Sequence, residues 1–117
     1  MAGQLGDKPL TEQEVTELCY QIISSVGTAK SLYIDSISKA QDYHFDEAQQ
    51  LVKEGDEAFI KGRNAHLQLL AHNAKGQNIP INLLLIHAED QLSDTETVRT
   101  LADKFIDVYR RLQQMEV

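Results

Sequence analysis

The sequence predicts an all-α protein, an antiparallel three-helix bundle of up-down-up topology. Three observations carry this reading. Apolar residues recur at alternating steps of four and three along three long stretches, which is the period of an α-helix face. Two prolines and six glycines in 117 residues are too few for the turns of a strand-rich protein. The breaks between the stretches are short, and short connections fold consecutive helices back on each other. A hydrophobic content of 42% fills one core, and the length suits one domain rather than two.

Residues 1–10 show no periodicity and are expected as a mobile tail, which leaves 11–117 as the domain. Thr11 stands three residues before Glu14, a capping-box spacing that starts a helix over about 12–42. Its stripe is Val15, Cys19, Ile22, Val26, Ala29, Tyr33 and Ile37. Gly27 falls inside it and points to a close neighbouring backbone. After Asp42-Tyr43-His44-Phe45, with Asp46 as the expected cap, the second helix carries Ala48, Val52, Gly55, Phe59, Gly62, His66, Leu69 and Asn73 on one line. Gly55 and Gly62 lie on the seam, where small residues permit tight packing. Gly76 is the expected left-handed stop. Pro80 suits the first turn of the third helix. That helix runs through Leu83–Leu92 and continues along Val98, Leu101, Phe105, Tyr109 and Leu112, with a possible kink or new cap at Ser93-Asp94-Thr95. The picture is that of a spectrin-like repeat. Leu83, Leu84, Leu85 and Ile86 in succession cover most of a helix circumference. A monomer would leave part of that surface wet, so an oligomer is expected.

A formal net charge of −7 argues against nucleic acid, whose phosphates need a basic surface. No run of eighteen apolar residues exists to insert in a membrane, and the N-terminus lacks a signal-peptide pattern. The lone Cys19 sits on an apolar stripe and has no partner for an internal disulfide, so a reduced, cytoplasmic setting is expected.

The apolar run Leu83–Ile86 ends in His87-Ala88-Glu89-Asp90-Gln91. On a helix, Leu83, Leu84, His87, Asp90, Gln91 and Asp94 share one face, and Val98, Leu101 and Phe105 extend it. An imidazole and a carboxylate thus stand in a stripe that should meet other protein. Such polar groups are costly there unless paired or used. A packed histidine with one hydrogen bond is the plain reading. The chemical one is a nucleophile, with the neutral ring oriented by a carboxylate so that its other nitrogen can attack. No Glu-x-x-His pattern exists for a di-metal bundle site. A metal site built by symmetry, with one Asp90 per subunit, remains open. Glu89 points off this face and is expected in solvent. His66 on the second-helix seam reads as a core histidine that could reach the third helix, and His44 and His72 read as surface or loop residues.

The stretch Leu84-Leu85-Ile86-His87-Ala88-Glu89-Asp90-Gln91-Leu92 resembles the phosphorylation motif of enzyme IIA of the lactose/cellobiose (diacetylchitobiose) class. That family belongs to the bacterial phosphoenolpyruvate-dependent sugar phosphotransferase system (PTS), and its usual pattern is His-Ala-Gln-Asp-His-Leu-Met. Val26-Gly27-Thr28-Ala29-Lys30-Ser31 resembles the family's Gly-x-Ala-Arg-Ser segment, and the likeness covers residues 11–115. The resemblance implies a homotrimer of three-helix subunits, nine helices in all. His87 would take a phosphoryl group from the phosphocarrier HPr and pass it to a cysteine of enzyme IIB, which serves the membrane permease, enzyme IIC. Asp90 would meet its two copies on the threefold axis and bind a divalent metal ion such as magnesium. Gln91 stands where the family has a second histidine; it can donate a hydrogen bond to a phosphoryl oxygen but carries no charge. Glu89 and Ser93 also depart from the pattern, and Glu89 adds negative charge near an anionic ligand. His66 would be a supporting residue through the family's second-helix Ala-His segment, although counting back from Gly76 brings Arg63 near that position. The rivals are a non-catalytic helical interaction or regulatory module of the same fold, and a metal-storage bundle.

Overall fold

The structure is a computed structural model and describes residues 8–116. Three helices follow in order, α1 (Glu12–Gln41), α2 (Phe45–Ala74) and α3 (Leu83–Met115), and the described residues include no strand. The Thr11 hydroxyl accepts from the Glu14 N–H at 3.1 Å, and the Thr11 N–H donates back to Oε1 of Glu14 at 3.2 Å. This reciprocal pair satisfies two of the donors that a helix start leaves open. It also holds the Glu14 carboxyl below its ordinary range. Of the expected tail, residues 1–7 lie outside the described residues, while Leu10 packs against the core.

Both connections use the same stop. At Gly76 φ is 79°, its N–H donates to the Asn73 carbonyl, and the Gln77 N–H reaches back to His72 at 3.1 Å. At the other connection Tyr43 adopts φ 65°, with Tyr43 N–H to Ala40 and His44 N–H to Lys39, both at 2.9 Å. This six-to-one bond with a left-handed residue is the Schellman arrangement. In the first case glycine meets the steric demand. In the second a tyrosine is held there by its hydroxyl on Glu116 and by a stacked Phe45 ring at 6.0 Å.

Three boundary expectations change. Asp46 is not the cap of α2: that position is His44, which makes no side-chain cap bond, and Asp46 lies in the first turn. Pro80 precedes the helix, because Asn82 accepts from the Leu85 N–H at 2.9 Å and starts α3 at Leu83. No break or new cap occurs at Ser93-Asp94-Thr95, where α3 runs on; Thr95 instead turns its hydroxyl to the Gln91 carbonyl at 2.7 Å.

The helix α1 lies between the other two, which touch each other little. One core cluster joins the first half of α1 (Val15, Leu18, Cys19, Ile22, Val26) to Ala65 and Leu69 of α2 and Ala88 and Leu92 of α3. The other joins Ala29, Tyr33 and Ala40 to Ala48 and Val52 of α2 and to Ala102 and Ile106 of α3. The pairing of halves makes α1 antiparallel to α2 and parallel to α3, which is the up-down-up order. A Cβ on Gly62 would fall 2.7 Å from Val26 Cγ1, and one on Gly55 would fall 2.5 Å from the Tyr33 ring. The seam glycines are therefore spatially required. Gly27 is not: a Cβ there meets nothing within 4 Å, so no backbone of the same subunit approaches it.

The inward face of α3 also differs from the expected one. Ala88, Leu92, Thr95, Ala102 and Ile106 are buried, whereas His87, Asp90, Asp94, Leu101 and Phe105 are exposed. The apolar set was wide enough for two faces, and the small residues Ala88, Thr95 and Ala102 let α3 approach α1 closely. The outer face keeps Leu83 at 81% exposure and Met115 at 76%, with Ile86, Leu101, Phe105, Val108 and Leu112 between them.

Candidate functional site

Starting α3 at Leu83 puts His87 in its second turn. Side chains lean toward the N-terminus of their helix, so the ring lies over the first turn of α3, where Leu83 is exposed and Leu84 half-buried. His87 and Asp90 are exposed and Gln91 is half-buried. Among the described residues neither the His87 ring nor the Gln91 amide has a hydrogen-bond partner within the subunit. Asp90, Gln91, Ser93, Asp94 and Thr97 line one shallow concavity on the same face. Asp94, one turn beyond Asp90, is paired with Lys30 of α1. Asp90 has no ion-pair partner among the described residues. The face thus offers a reachable imidazole, a free amide and one uncompensated carboxylate.

Not all the candidate residues come together. His66 is half-buried on α2, and its Nε2 stands 2.7 Å from Oε1 of Glu89. Glu89 lies about 200° around the helix from His87. His66 therefore reaches α3 as expected, but on the side away from His87. Glu89 is exposed, as expected, and makes this contact at the surface. His72 is not a surface residue; it is 5% exposed, with Nδ1 at 2.9 Å from the Gln68 carbonyl and Nε2 at 3.1 Å from that of Lys8.

The family model for "PTS system, Lactose/Cellobiose specific IIA subunit" matches residues 17–110. The chain belongs to the lactose/cellobiose-specific IIA subunit family of the PTS. The lactose-specific EIIA component of Staphylococcus epidermidis is 32% identical over 102 residues, which are 87% of this chain and 98% of that one. The galactose-specific EIIA component of Lactococcus lactis subsp. cremoris is 36% identical over 95 residues, 81% of this chain and 82% of that one. The crystal structure of the PTS cellobiose-specific enzyme IIA from Bacillus anthracis superposes with a TM-score of 0.85 at 28% identity, covering 94% and 98% of the two chains. This IIA chain is accordingly a component of the sugar phosphotransferase system, and none of its described helices is long and apolar enough to cross a membrane.

Sequence reasoning passed over two polar groups that tie the IIA helices together. Lys30 lies in the segment that resembles Gly-x-Ala-Arg-Ser, and its charge and the acid at Asp94 were a usable signal. The second group had none. Asp56 of α2 accepts from the Tyr33 hydroxyl at 2.6 Å and from Arg99 Nε and Nη2 at 2.7 and 3.2 Å, and Nη1 of Arg99 lies 2.6 Å from Asp103. The guanidinium stacks 5.6 Å over the Tyr33 ring. Burial alone would raise the Asp56 carboxyl, but the bonds from Arg99 and Tyr33 and the Arg99 charge outweigh it and hold it below its ordinary range. Burial first, then Asp56, pushes the Tyr33 phenol up.

Among the described residues of one subunit, no group of three acids, histidines or cysteines could hold a metal ion. Asp90 supplies one exposed carboxylate per chain, which is the hard oxygen donor a divalent cation prefers. One such donor does not make a metal site within a single subunit.

Proposed function

We propose that this IIA chain carries a phosphoryl group on His87 between phospho-HPr and enzyme IIB in the cytoplasm, as a homotrimer. The observation that carries the reading is the exposed His87 ring on the outward face of α3, without a hydrogen-bond partner among the described residues and within the stretch 17–110 that the family model matches. In the first step a ring nitrogen of His87 attacks phosphorus. The P–N bond to the HPr histidine breaks, and its electron pair returns to that imidazole. In the second, a cysteine thiolate of enzyme IIB attacks the same phosphorus, and the electron pair of the broken bond returns to the His87 ring. The side-chain amide of Gln91 is placed one turn from His87 to donate to a phosphoryl oxygen, which stabilises the charge spread over those oxygens in transfer. A proton need not move, because phosphorus exchanges one nitrogen for another and then for sulfur.

The apolar outer face of α3 supports the trimer. Leu83 and Ile86 on one side of the polar stretch around Asp90, and Leu101, Phe105, Val108 and Leu112 on the other, are all exposed in one subunit, and apolar groups gathered on one face in this way mark a contact surface. Three Asp90 carboxylates brought together by that packing would repel, so they would hold a divalent cation such as magnesium. When bound, the ion supplies neutralising charge at the axis. The sugar is selected by the membrane permease, enzyme IIC, and not by this chain.

Incubation with phosphoenolpyruvate, enzyme I and HPr tests the reading by intact mass. A gain of one phosphoryl group per chain, labile in acid and stable in base, is expected. No gain over a wide range of HPr concentration assigns the chain to the non-catalytic module.

A further inference from the structure

We propose that His72 is a proton-controlled buckle for residues 8–11: its ring holds this strap against α2 as the imidazolium and loosens it as the neutral imidazole. The inference stands apart from the carrier reading, because no step of the transfer uses His72. The residue lies in the last turn of α2 and is 5% exposed. Its Nδ1 is 2.9 Å from the Gln68 carbonyl of the same helix, and its Nε2 is 3.1 Å from the Lys8 carbonyl, 64 residues away in the chain. A carbonyl oxygen only accepts, so a ring nitrogen bonds to it only by donating an N–H. The neutral ring has one N–H and the imidazolium has two. Either neutral tautomer therefore turns a bare nitrogen toward a carbonyl, lone pair against lone pair, where little water can intervene.

Burial works against the charged ring, and three things work for it. Both carbonyls accept from it, and bonds from a charged donor are the stronger kind. The last turn of a helix favours positive charge. Glu14 of α1 is the acid that feels the ring: its carboxyl is lowered chiefly by its two bonds with Thr11 and, in smaller part, by the His72 charge. The connection and α3 bring uncharged groups to this end of the bundle, since Ile79, Leu84 and Leu85 pack against the same core cluster as Leu10 of the strap. Lys8 and Lys75, the cations nearest in the chain, are exposed residues, where solvent and salt screen them. Glu14 also closes the capping box with Thr11. One proton on His72 thus fastens the strap at Lys8 and favours the carboxylate that fastens it at Thr11.

A proline-specific endoprotease tests this on the full chain. It has two places to cut, after Pro9 in the strap and after Pro80 in the connection, and both prolines are exposed. Cutting reads the open fraction of a segment when closing is faster than cleavage. The ratio of the two initial rates, followed by intact mass, removes the pH dependence of the protease itself. Between pH 6 and pH 8, across the histidine range, the ratio of Pro9 to Pro80 cleavage is expected to rise about fivefold, the scale of one hydrogen bond. The rise should follow the same curve as the ring nitrogen NMR signals of His72. H72Q cannot titrate at this position, and its ratio is expected not to change with pH. A flat ratio in the unmutated chain, a rise that follows the signals of another histidine, or an equal rise in H72Q overturns the proposal. If H72Q does not fold, the match between strap opening and the His72 ring signals in the unmutated chain decides the matter.

Discussion

His87 and Asp56 are both polar side chains on helices of one bundle, and their surroundings give them opposite roles. The His87 ring has no hydrogen-bond partner among the described residues and is exposed, which leaves its lone pair for an incoming group. Replacing the neighbouring Gln91 by alanine removes the proposed phosphoryl donor and is expected to slow uptake by about a hundredfold, the lower end of what one such donor contributes; rates with phospho-HPr check it. Asp56, by contrast, is fully engaged by Arg99 and Tyr33. Its carboxyl is held below the unfolded value of about 3.9, so its contribution is present at neutral pH and is lost as pH falls from there through the folded value. Asp56→Asn should cost about 1 kcal/mol at pH 7, a figure discounted for the partial exposure of both partners, and should flatten the acid limb of the stability curve. Urea melts between pH 7 and pH 3 read both effects.

At the scale of the element, the two seam glycines make the sharpest claim. Alanine is the better helix former by about 1 kcal/mol. Yet at Gly62 its methyl would stand against Val26, a β-branched side chain with little freedom, and at Gly55 against a tyrosine ring pinned by Asp56 and Arg99. Overpacking of this kind typically costs about 1–3 kcal/mol, so both substitutions should lower the thermal midpoint, while Gly27→Ala should not. These glycines were legible because they fell on a four-three line. The stripe of α1 and the first part of the α2 stripe were legible for the same reason, but toward the end of α2 the buried side turns to Ala65 and His72 and leaves Asn73, expected on the line, exposed. The face of α3 was not legible. Its apolar residues are wide enough to serve two surfaces, and which of them meets α1 is decided by the small residues Ala88, Thr95 and Ala102, whose size carries no periodic signal. The Asp56–Arg99–Tyr33 group escaped because it joins three helices, and no spacing along one chain marks such a meeting. The motif at His87 was legible by resemblance, whereas the His66–Glu89 contact required coordinates.

At the scale of the whole molecule, a single bundle places the His87 ring and a row of exposed apolar side chains on one face. Those two facts are reconciled if copies pack through the stripe beside the ring. Three chains of 13.2 kDa give 39.6 kDa, and sedimentation equilibrium should return that mass. Phe105→Lys sets an ammonium group among the exposed apolar side chains of α3 and should shift the mass toward 13.2 kDa with little loss of helicity. The central claim, however, concerns one nitrogen. Peptide mapping of the loaded chain under alkaline conditions locates the phosphoryl group directly. The account predicts it on the peptide bearing His87, absent in His87→Ala and present in His72→Gln; a phosphoryl group that persists in His87→Ala would contradict it.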